Sequence, residues 1–140
     1  MASAAELHRT AHDLFNRRDW DAMRALVADD IEYTDHPRAT TVRGFDDFVT
    51  FLQSWVTGMS DARIDDARYH DAGGVSVGQF RGRGVNDGQF GPANATGKAL
   101  DLPFCELLRV DGDRIRGGEL YYDTMTMLVQ FGLAEAPAAA

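Results

Sequence analysis

In the run Leu100, Leu102, Phe104, Glu106, Leu108, Val110 every second residue is apolar except one carboxylate. Residues two apart share a face of a strand, so Glu106 falls in an oily row. A carboxylate there is costly if ionised, and it is either paired or keeps its proton at neutral pH. A kept proton could be donated to a developing oxyanion, which is acid/base chemistry at a carbonyl group. A second reading stays open: Pro103, which cannot donate to a ladder, marks a bulge or an edge and turns Glu106 outward.

Other polar side chains join it as candidates. Ile115, Glu119, Tyr121 and Asp123 alternate along the next strand, so two carboxylates and a phenol could line one wall. Equally, that side is the solvated one and Leu120 and Tyr122 pack inward. Asp35 closes an alternating run from Ile31 to His36, beside Tyr33 and just before Pro37. Alone it also reads as a turn residue. His8 and His12 stand at i, i+4, a spacing that can put two imidazoles on one metal. With no Glu after His8 and no third ligand evident, the pair reads as part of a solvated helix face. Trp20 and Trp55 read as core or rim residues, and Cys105 as a small apolar group. No phosphate-cradling loop, nucleophile elbow or dinucleotide fingerprint occurs.

The elements that must position these groups follow from periodicity. Ser3 can cap a helix carrying Leu7, Ala11, Leu14 and Phe15 on one stripe, and Asp19 a shorter one with Trp20, Met23 and Val27. A strand over residues 31–36 precedes a third helix from Gly44, with Phe45, Phe48, Val49, Leu52, Val56 and Met59 in helical period. Four strands are expected near residues 62–70, 75–85, 100–110 and 114–123, with turns at 71–74 and 111–113. Residues 86–97 read as a polar loop, and 124–131 as a closing helix. Helices first and hairpins after is an α+β pattern. It predicts one domain over residues 1–133, in which a curved antiparallel sheet forms a cone packed against the N-terminal helices. Residues 134–140 are expected to stay disordered.

The chain has 140 residues, 44% of them hydrophobic and 26% charged, which suits one folded domain. A formal net charge of −8 disfavours nucleic acid and anionic membranes as partners. No apolar run is long enough for a membrane span, and the N-terminus lacks a secretory layout, so the expected compartment is the cytoplasm. A single cysteine excludes an internal disulfide.

Three stretches carry a family resemblance. Residues Phe15 to Trp20 run through Leu26 to Asp35, Val42-Arg43-Gly44 leads into the third helix, and Glu106 to Ile115 continues to Tyr122-Asp123-Thr124 and Leu128 to Gly132. Over nearly its whole length the chain resembles the nuclear transport factor 2-like superfamily, and within it the SnoaL-like polyketide cyclases and ketosteroid isomerases. The resemblance implies a cystatin-like α+β fold, a homodimer, no cofactor and no metal. It places Asp35 where isomerases keep their general base and Glu106 where they keep a protonated acid on the enolate oxygen. Asp123 falls where cyclases use a carboxylate. Ala11 stands where the isomerases carry an oxyanion tyrosine, and Glu106 is one methylene longer than their Asp.

The implied chemistry is cofactor-independent cyclisation or isomerisation of a small hydrophobic carbonyl compound through an enolate. Asp35, Glu106 and Asp123 are its expected catalytic residues, and Tyr33, His36, Glu119, Tyr121, Phe104 and Trp55 its expected substrate contacts. Two alternatives remain. One is water addition to an epoxide by an Asp/Arg/Asp set that uses Arg81 or Arg83. The other is a non-catalytic binding or dimerisation module.

Overall fold

The computed structural model describes residues 2–138. The Ser3 hydroxyl accepts from the Glu6 amide and opens helix α1 (Ala4–Arg17). Asp19 caps α2 (Trp20–Leu26) in the same way through Ala22. The chain then enters strand β1 (Val27–Asp35) with no intervening loop. After a turn comes β2 (Thr40–Arg43), four residues that are too polar and exposed for periodicity to announce. Gly44, at φ 90°, supplies a backbone conformation that side chains resist and leads into α3 (Phe45–Gly58). Strands β3 (Arg63–Asp71), β4 (Val75–Val85), β5 (Ala99–Asp111) and β6 (Arg114–Tyr122) follow, then α4 (Thr124–Gln130).

The strand order is β2-β1-β6-β5-β4-β3. Strands β3 to β6 are successive antiparallel neighbours, as hairpin signals predict, but β1 pairs with β6 in parallel. The expected antiparallel cone is therefore corrected to an open, mixed six-stranded sheet that is neither closed nor strongly curled. β2 and β3 stand at opposite edges and do not pair. Hairpin signals describe only strands adjacent in sequence. A pairing across the whole chain, such as β1 with β6, leaves no local mark.

Helix α1 packs across β3, β4 and β5, while α3 lies against β1 and β2. One sheet face and these helices enclose the core. Leu100, Leu102, Phe104, Glu106 and Leu108 are all buried, so Glu106 faces inward. Pro103 does not break the register: it pairs with Arg81 in an unshifted ladder. It sits where β5 outruns the end of β6, whose pairing stops at Phe104 opposite Tyr122. The Asp101 amide instead donates to the Gln130 side chain at 2.8 Å. Residues two apart direct their N–H groups alike, so the missing donor of Pro103 falls on this same unpaired side.

In β6 the register shifts between Arg109 and Val110 of its partner. That bulge changes which alternate residues face the core, so Ile115 and Leu120 are both buried although five positions apart in sequence. The loop over residues 86–97 hangs on Asn86, which is 1% exposed. Its amide donates to the Gly58 and Gly88 carbonyls and accepts from the Thr96 amide and hydroxyl. Residues 135–138 form no regular element, and the rest of the expected tail, 139 and 140, lies outside the described residues. Among the described residues no helix is long and apolar enough to cross a membrane.

Candidate active site

Helix α1 sets His8 and His12 one turn apart, and both imidazoles point at Glu106 on β5. His8 is fully buried and His12 nearly so, which corrects the solvated-face reading of that pair. The Nε2 atoms of His8 and His12 lie 2.8 and 2.7 Å from the same Glu106 Oε1. From β1 the Tyr33 hydroxyl donates to the other oxygen, Oε2. Behind the rings, His8 Nδ1 lies 2.8 Å from the Ser76 hydroxyl and His12 Nδ1 2.7 Å from that of Tyr69.

One set of proton positions satisfies every group. Ser76 and Tyr69 donate to the two Nδ1 atoms, both imidazoles donate from Nε2, and three donors converge on an ionised Glu106. Burial by itself would raise the Glu106 carboxyl, but the hydrogen bonds from His12 and His8 outweigh it and hold the group below the ordinary carboxylate range. Burial also pushes the His12 imidazole down, against the pull of Glu106, and drives the Tyr33 phenol well up, with the Glu106 charge adding to it. The expectation of a lone, protonated acid is thus replaced by a carboxylate with three partners.

Above this cluster lies an apolar cavity of about 80 Å³, lined by His12, Tyr33, Phe51, Trp55, Phe104 and Glu106 among others. The structure therefore unites Glu106, Tyr33, Phe104 and Trp55 of the expected site. Asp35 is buried but does not line that cavity. Its Oδ2 accepts from Arg38 Nε at 2.7 Å and from the Tyr122 hydroxyl at 2.9 Å, and its Oδ1 accepts from the Arg38 amide. It is both a turn residue and half of a buried ion pair. His36, Glu119 and Tyr121 lie on the opposite sheet face, where His36 stacks on Tyr121 and bonds Glu119 at 3.0 Å. The β6 bulge decides this, since it turns Leu120 rather than its neighbours inward. Asp123 is exposed and caps α4 through the Met125 and Thr126 amides and the Thr126 hydroxyl. These bonds hold its carboxyl below the usual range. Arg81 and Arg83 pair with Asp65, Asp66 and Asp101, and Arg83 also lines the cavity.

The histidines were findable. Extending the α1 stripe back to Ala4 gives 4, 7, 8, 11, 12 and 15, a buried-face pattern that includes both imidazoles. The inward row of β4, Ser76 and Gly78 before Phe80, carries small residues where a ring must fit. A Cβ on Gly78 would lie 2.6 Å from His8 Cε1. Gly78→Ala is accordingly expected to displace His8 from Glu106 and to cost about 1–3 kcal/mol by overpacking. Urea denaturation checks this, and a cost within error of zero would contradict the packing.

Several solved structures share the fold. A proposed polyketide cyclase of Xanthomonas campestris pv. campestris is 24% identical over 91% of this chain and 96% of its own, with a TM-score of 0.81. A second, from Pseudomonas putida KT2440, is 20% identical over 93% and 98%, with a TM-score of 0.82. IdmH, a proposed polyketide cyclase of Streptomyces antibioticus, is 19% identical over 94% and 99%, with a TM-score of 0.81. At such identities the likeness is one of fold. No protein among the curated sequences matches the chain. The family model of the SnoaL-like polyketide cyclases matches residues 5–131, nearly the whole of the nuclear transport factor 2-like fold described above, and the chain belongs to that family.

Proposed function

We propose that this protein is a cyclase or isomerase of a small hydrophobic carbonyl compound and works by proton transfer through an enolate. The observation that carries the reading is the position of Glu106, an organised carboxylate in a largely apolar cavity walled by aromatic and aliphatic side chains. Glu106 Oε2 takes a proton from carbon next to the substrate carbonyl. The electron pair moves to the carbonyl oxygen, and the Tyr33 hydroxyl turns from Glu106 to donate to it. Return of the proton to another carbon completes an isomerisation. Attack of the enolate carbon on a second carbonyl, whose oxygen then takes the proton back from Glu106, completes a ring closure. His8 and His12 hold the carboxylate in place and share its charge.

Charge shared among three donors makes a mild base, so the fitting substrate is a carbon acid flanked by two carbonyls, as in a polyketide-like chain. Asp35 acts in this scheme by holding Arg38 and Tyr122, and Asp123 by capping α4. The test is hydrogen exchange in deuterium oxide on simple 1,3-dicarbonyl compounds, followed by proton magnetic resonance. Exchange above the buffer rate that falls about 100-fold or more in Glu106→Gln is the expected result. Exchange by the wild type that survives intact in that variant would remove Glu106 from the reaction.

A further inference from the structure

Two buried imidazoles and a carboxylate that converge from two rigid elements also form a recognisable donor set. One ring nitrogen each of His8 and His12 and a Glu106 oxygen lie within 4.8 Å of one another. Two histidines and one carboxylate with open positions is a combination that suits divalent first-row transition metals. We propose that this cluster is a binding site for such an ion, of the zinc or cobalt type, with its open positions facing the aromatic cavity.

Four features of the site favour this. The helical i, i+4 spacing aims both imidazoles at one point, and β5 supplies the third donor from the facing side. The outer nitrogen of each ring meets a hydroxyl, Ser76 for His8 and Tyr69 for His12. A hydroxyl can donate or accept, so each ring can move its proton from Nε2 to Nδ1 and free Nε2 for a metal without losing its outer hydrogen bond. The two carboxylate oxygens are also divided, Oε1 toward the histidines and Oε2 toward Tyr33. A metal on Oε1 leaves Oε2 and Tyr33 in place. Finally, His12 and Glu106 line the cavity while His8 lies behind them, so a coordinated ion would be reached from the substrate side. A divalent ion with one carboxylate carries a net positive charge in an apolar chamber. The ligand class it selects is an anionic oxygen, either an enolate or a carboxylate.

The inference does not rest on the proton-transfer reading, and its test involves no turnover. Full-length protein stripped with a chelator is titrated with Co²⁺ and followed by visible absorption, then challenged with Zn²⁺. One equivalent of Co²⁺ per chain, displaced by Zn²⁺, is expected. Affinity should fall at least about 100-fold in His8→Ala, His12→Ala and Glu106→Gln, and about 10-fold in Ser76→Ala and Tyr69→Phe. His36→Ala, on the opposite sheet face, should leave binding unchanged. Circular dichroism identifies any variant that fails to fold, and the wild-type titration decides in that case. Failure of wild-type protein to bind either ion at millimolar concentration overturns the proposal. So does binding that persists in the three cluster variants or disappears in His36→Ala.

Discussion

Glu106→Ala is expected to destabilise the protein by about 3–5 kcal/mol, the cost of breaking a buried charged network by removing one partner. The residue is only 8% exposed, and loss of its side chain orphans donors on His8, His12 and Tyr33 at once while opening a void beside the cavity. Glu106→Gln keeps the shape and one acceptor, so about 1–3 kcal/mol is the expected cost. The amide cannot accept a proton from carbon, so the better-folded of the two variants is the one expected to isolate the loss of chemistry. Urea denaturation measures the pair, with the midpoint moving and the slope unchanged. A cost below about 1 kcal/mol for Glu106→Ala would mean the three donors find water instead, and the buried network would not exist in solution.

How much of this was legible in the sequence depends on distance along the chain. The row from Leu100 to Leu108 is local and allows an inward or an outward Glu106, and the inward one holds because β5 keeps strict alternation to Leu108. Helices α1 and α2 were readable from periodicity and from Ser3 and Asp19, which accept from amides three residues ahead, and α3 and α4 from periodicity alone. Pairing between distant segments was not readable. His8 and Glu106 are 98 residues apart and Tyr33 and Glu106 are 73, so nothing in either neighbourhood names the other. The ionisation state of Glu106 is the consequence: an acid that looks alone in its own strand is expected to keep its proton, whereas its partners arrive from α1 and β1. The facing of Glu119 and Tyr121 stayed open between two readings for a different reason. A single bulge near Arg109 changes the parity of β6, and period-two reasoning carries no record of an inserted residue.

Asp35 and Arg38 supply the second large effect, again through a buried charge. Asp35 is fully buried, and the Arg38 guanidinium is held over the rings of Phe51, Trp55 and Phe90 at 5.4, 4.9 and 5.1 Å. Its Nη2 atom is buried with no hydrogen-bond partner among the described residues, so Asp35 is its principal polar anchor. Asp35→Ala should therefore cost about 3 kcal/mol, the low end for a broken buried pair because Arg38 keeps some contact with solvent. Arg38→Met should cost less, since Asp35 retains the Tyr122 hydroxyl and the backbone amide of residue 38. The two changes together should cost less than their sum, with a coupling of about 2 kcal/mol in a double-mutant cycle. Phe51 and Trp55 also wall the cavity, so loss of the guanidinium that packs on them should weaken binding of an apolar ligand even where the fold survives. Additive costs would show that the pair contributes nothing jointly. The separation of Asp35 from the chemistry would then need another cause than its commitment to Arg38.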